Sequence, residues 1–66
     1  MGFETKILNV VEEFIPGAEA AFAYGTLFVA GLDNGQATLL LNRVRGSVLC
    51  EVEMSPVGPE FAYDFI

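Results

Sequence analysis

From residue 3 to residue 15, apolar side chains recur at three- and four-residue steps, and Pro16-Gly17 then interrupts the run. Phe3, Ile7, Leu8, Val10, Val11, Phe14 and Ile15 fall within an arc of about 160° at 100° per residue. Thr5, Lys6, Asn9, Glu12 and Glu13 take the other side. This pattern predicts a helix over 3–15, ended by the Pro-Gly pair. An amphipathic helix cannot hold its apolar stripe in water, so the remaining fifty-odd residues must supply a surface for it to cover.

The chain has 66 residues, enough for one small domain. Apolar residues make up 53%, which separates it from disordered acidic tails. Nine acids against three bases leave a net charge of −6. Without histidine and with the single cysteine Cys50, disulfide frameworks, Cys/His zinc sites and His-assisted nucleophiles are excluded. No metal or other cofactor is expected. The uncharged stretch 20–32 contains two glycines and is too short to span a bilayer, which takes about 20 residues. With no signal-peptide pattern and one unpaired thiol, the expected compartment is the cytoplasm, without membrane contact. Direct binding to nucleic acid is not expected, because neutralising phosphates takes more than Lys6, Arg43 and Arg45.

Residues 18–24 fit a short helix through their alanines, or the start of a long strand over 20–32 bent at Gly25. Asp33-Asn34-Gly35-Gln36 lies between apolar runs and reads as a hairpin turn. Turning there, at Arg45-Gly46 and across 56–59 gives strands over 20–32, 36–44, 47–54 and 60–66. The expected register sets Phe28 against Leu41, Leu41 against Cys50 and Cys50 against Phe65. It also sets Leu39 against Val52, and Val52 against Tyr63. One face then collects Phe28, Ala30, Leu32, Leu39, Leu41, Val48, Cys50, Val52, Met54, Phe61, Tyr63 and Phe65. The expected architecture is α+β: an N-terminal helix across a four-stranded antiparallel meander.

The same register sends Leu27, Val29, Leu40 and Leu49 to the opposite face, beside Glu51 and Glu53 on the third strand and Asp64 on the fourth. Glu51 is expected directly opposite Asp64, a destabilising like-charge pair. These carboxylates admit two readings: a solubilising edge, or a partner surface of apolar patch and acids. Glu12 and Glu13, at the helix end where the macrodipole disfavours them, form a second acidic group. Alternate carboxylates on a strand stand about 6.4–6.8 Å apart, near two steps of a phosphate backbone whose rise is about 3.4 Å.

Paired carboxylates on an open sheet lack the cleft that glycosidic acid–base work needs, and Ser47 and Thr26 have no base beside them. The chain is therefore expected to be non-catalytic. Asp33-Asn34-Gly35 lacks the later ligands of a calcium loop, Gly25 and Gly31 do not form a phosphate fingerprint, and Cys50 is expected to be buried and inert. In its short length, acidity, lack of histidine and compact helix-plus-sheet pattern, the chain resembles small inhibitor proteins of bacteriophages and mobile elements, anti-CRISPR proteins among them. That resemblance implies a stoichiometric inhibitor in a host bacterial cell. Its carboxylates would meet arginines and lysines of a larger basic protein or ribonucleoprotein complex. The second expectation is a module that dimerises through its C-terminal strand, placed at the sheet edge.

Overall fold

The structure, a computed structural model, describes residues 2–66. Six elements follow one another: α1 (Phe3–Phe14), β1 (Glu19–Ala23), β2 (Thr26–Ala30), α2 (Asn34–Ser47), β3 (Val52–Val57) and β4 (Glu60–Phe65). The four strands form one antiparallel sheet in the order β1-β2-β4-β3. The α+β class, the N-terminal helix and the single four-stranded antiparallel sheet are as the sequence predicts. The strands do not run as a meander, because a second helix replaces the expected strand over 36–44.

Asn34-Gly35 opens α2 instead of turning a hairpin. Asp33 caps the helix: its Oδ1 accepts the Gln36 backbone N–H at 2.7 Å, and Gln36 Oε1 accepts the Asp33 N–H at 3.1 Å. This reciprocal box satisfies two of the amide donors that a helix start leaves without partners. Downstream, Ala37, Leu40, Leu41 and Val44 are buried at helical spacing. Ser47 closes the helix, so the expected strand over 47–54 shrinks to Val52–Val57.

The expected strand over 20–32 is divided between β1 and β2. Tyr24 and Gly25 between them both have positive φ, 53° and 77°. Two successive left-handed residues make a type I′ turn, whose twist matches that of the flanking strands. Gly58 (φ 59°) and Pro59 link β3 to β4 as a second two-residue turn. The expected connection of four residues is thus two, and Met54 pairs with Tyr63 and Val52 with Phe65. This slip of two leaves Val52 to Met54 and Glu60 to Phe65 on their predicted faces.

β2 and β3 each run antiparallel to β4, which lies between them, so β2-α2-β3 is a split crossover between parallel strands. β4 is therefore hydrogen-bonded on both sides, and the expected dimer edge at the C-terminal strand does not exist. The edges are β1 and β3. β1 is only five residues long. Along β3, Arg45 Nε and Nη2 donate to the Val52 carbonyl at 3.1 and 2.9 Å, and Pro56 offers no N–H. The β3 edge is thus a poor template for an added strand.

Both helices cover one face of the sheet. Ile7 and Val11 of α1 and Leu40, Leu41 and Val44 of α2 pack with Leu27, Val29, Val52 and Tyr63. Leu27, Val29 and Leu40, expected on the outward face, are 0% exposed and form the centre of the core. Phe28 and Ala30, expected inside, lie on the opposite face, and Leu39 is 57% exposed on α2. The inversion in β2 has a simple cause: without a hairpin at Asn34-Gly35, its phase is set by the Tyr24-Gly25 turn. Cys50 is half-buried. The phenol of Tyr63 donates to the Ala37 carbonyl at 2.9 Å, and burial pushes its pKa from 10.0 to about 12.

Candidate docking face on the open side of the sheet

Side chains of paired residues in an antiparallel sheet share a face, which divides the strands into rows. Away from the helices, the middle row is Ala21–Phe28–Ala62–Ser55. One flanking row is Glu19–Ala30–Glu60–Val57, and the other is Ala23–Thr26–Asp64–Glu53. Glu51 and Ile66 extend this face by one more step, with the Ile66 N–H donating to the Glu51 carbonyl at 2.8 Å. No element of the described chain covers these rows.

Five of the nine acids stand here: Glu19, Glu51, Glu53, Glu60 and Asp64. All three bases lie on the helices, Lys6 on α1 and Arg43 and Arg45 on α2. The molecule is electrostatically two-sided, with an acidic sheet face and a mixed helical layer, and Arg45 meets the acids at the β3 edge, where it lines a depression with Glu51 and Glu53. Arg45 is held by the Val52 carbonyl, and Arg43 lies 5.4 Å from the centre of the Phe14 ring, a cation–π contact.

The expected group Glu51, Glu53 and Asp64 does share this face, with one change of partner. Glu53, not Glu51, lies opposite Asp64. Thr26 Oγ1 donates to Asp64 Oδ1 at 2.6 Å, which orients that carboxylate and offsets part of the like-charge cost. Glu12 and Glu13 do not join the group, because α1 carries them in the helical layer. The Glu12 carboxylate accepts the Gly17 N–H at 3.0 Å and so helps to end the helix. Of the four apolar residues expected beside the acids, only Leu49 is exposed, fully so, in the loop between α2 and β3.

Glu19 and Glu60 were not among the expected site residues. The alternation Glu60, Ala62, Asp64 on β4 carries the signal for Glu60, since all three share the parity of a single face. Glu19 becomes visible only with the short β1 hairpin. Fully exposed Tyr24 sits at the β1–β2 turn, and Ile66, 65% exposed, directly follows β4. Leu49, on the loop that leads into Glu51, borders a depression shared with Phe3 and Lys6 of α1.

Among the described residues, no group of three or more His, Cys, Asp or Glu is arranged to hold a metal ion. No buried side-chain nitrogen or oxygen there lacks a hydrogen-bond partner, and no helix is long and apolar enough to cross a membrane. No protein-family model, curated protein or solved structure matches the chain.

Proposed function

We propose that this chain is a non-catalytic binding protein that lays its acidic sheet face on a basic, nucleic-acid-handling surface of a larger protein or ribonucleoprotein complex, and so blocks that surface. The observation that carries the reading is the segregation of charge: five carboxylates stand on the one sheet face that lacks a helical cover, and only Arg45, at the β3 edge, comes near them. Such a face raises the encounter rate with a basic surface and repels a second copy of itself.

The geometry also suits occlusion. Four strands at about 4.8 Å and residues at about 3.3 Å make a face roughly 15–20 Å on a side. A partner footprint of about 800 Å² would need more than this, and the rim supplies it through Tyr24, Leu49 and Ile66. These exposed apolar groups would contribute desolvated contact area, while Glu51, Glu53 and Asp64 supply attraction and orientation. The phosphate-like spacing of alternate carboxylates and the resemblance to phage inhibitors support the same kind of target.

The test is capture from bacterial lysate at low and high salt, followed by competition with duplex DNA. The wild-type chain should capture a nucleic-acid-binding protein, release it as salt rises, and lose it to added DNA. The triple variant Glu51→Lys, Glu53→Lys, Asp64→Lys, shown by circular dichroism to be folded, should capture none. Undiminished capture by this variant, with the same salt dependence, overturns the reading.

A further inference from the structure

We infer that Phe28, Glu19 and Glu60 form a receptor for one arginine side chain of the partner; the inference rests on the docking face proposed above and assigns its central contact. Phe28 is the one large side chain of the middle row, with Ala21, Ala62 and Ser55 as its row neighbours. Ala62 lies on the uncovered face yet is only 4% exposed. Phe28, half-buried and paired directly with it, is the bulkiest of its neighbours on this face.

Beside this ring is a shallow depression of about 480 Å³, whose lining includes Glu19, Ala21, Phe28 and Glu60. Glu19 and Glu60 belong to one row and are separated by Ala30 on β2. Two strand spacings place their backbones about 9.5 Å apart. That gap holds no charged side chain of its own, since Ala30 alone stands between the two acids. It accommodates a planar cation with a carboxylate on either side. Guanidinium has that shape: five N–H donors in its plane and a flat face that stacks on aromatic rings. The chain already makes such a contact, Arg43 over Phe14.

A second copy is a poor occupant. Its sheet face repeats the same five acids, and Arg43 and Arg45 are engaged within their own fold. The charge of the depression therefore calls for a basic partner, and its shape selects arginine over lysine, whose ammonium is a point charge without a stacking face.

The experiment is an NMR titration of the full chain with three blocked pentapeptides, Gly-Xaa-Gly-Xaa-Gly, where Xaa is arginine, lysine or citrulline. The arginine peptide should give saturable shifts confined to Glu19, Ala21, Phe28 and Glu60, with upfield movement of the arginine side-chain protons over the ring. Lysine should bind several-fold more weakly, and citrulline, which keeps the shape without the charge, should not bind. Phe28→Leu and the pair Glu19→Gln, Glu60→Gln should each weaken the arginine peptide about fivefold or more. Shifts spread equally over Glu4, Glu13 and Glu51 overturn the inference, as does unchanged affinity in Phe28→Leu. Shifts of the same signals on concentrating the protein alone also overturn it, in favour of a second copy. If Phe28→Leu still captures the lysate partner at wild-type strength while the triple charge reversal does not, the arginine receptor fails and the docking face stands.

Discussion

The Tyr63 hydroxyl and the Ala37 carbonyl are 26 residues apart in the chain and 2.9 Å apart in the fold. This bond fastens the central strand to the helix that crosses it, inside the core. Removing the hydroxyl in Tyr63→Phe keeps the ring and takes away the bond, at a cost of about 1 kcal/mol in urea unfolding. Stability at high pH tests the same group. Because burial holds the folded phenol near 12 against an ordinary 10.0, the unfolded chain gives up this proton first. Stability should therefore fall as pH rises from about 10 to about 12, and Tyr63→Phe should remove that part of the fall. An alkaline decline identical in wild type and variant would show that Tyr63 is not its source.

The Asp33–Gln36 box sets where α2 begins. Asp33→Ala should cost about 1 kcal/mol and lower the thermal midpoint, whereas Asp33→Asn or Asp33→Ser should retain most of the stability, since both still cap. Equal losses for all three would deny the box its role.

Tyr24 holds a left-handed backbone at φ 53° with its side chain fully exposed. It therefore bears conformational cost without packing gain. Tyr24→Asn creates the Asn-Gly pair that type I′ turns favour and should stabilise by up to about 1 kcal/mol. In a domain of this size that corresponds to about 4–8 °C in melting temperature. A melting point at or below wild type would contradict the assignment.

Leu40 and Leu49 differ completely in environment, one 0% and the other 108% exposed. Leu40→Ala should cost about 2–5 kcal/mol, enough to unfold much of so small a domain. Leu49→Ala should stay within about 0.5 kcal/mol while weakening partner capture. The two effects are read separately, by chemical unfolding and by pull-down.

Glu53 faces Asp64 across the β3–β4 ladder. Glu53→Thr removes this like-charge contact and suits a strand, so it should stabilise by a few tenths to about 1 kcal/mol. The same change should reduce capture of the basic partner. A variant that is more stable and binds no worse would favour the solubilising reading of these acids.

What the sequence carried by itself is local and periodic. The helical stripe ending at Pro16-Gly17, the alternation through Val52 to Met54 and Phe61 to Phe65, and the outward parity of Glu53 and Asp64 are all present in the structure. Each depends on neighbouring residues alone, and a two-residue register slip leaves strand faces unchanged. The segment 33–47 contained two competing signals. Asn34-Gly35 favours a turn when taken as a pair, while Asp33-x-x-Gln36 followed by Ala37, Leu40, Leu41 and Val44 favours a capped helix. The helix prevails because it satisfies backbone groups at its start and buries an apolar stripe against Leu27, Val29 and Tyr63. Tertiary structure alone decided three further matters: which face of β2 turns inward, that β4 is an inner strand, and that Glu19 shares a face with Glu53, Glu60 and Asp64. All three depend on which strands become neighbours, and that follows from the crossover helix, whose contacts join residues far apart in the chain.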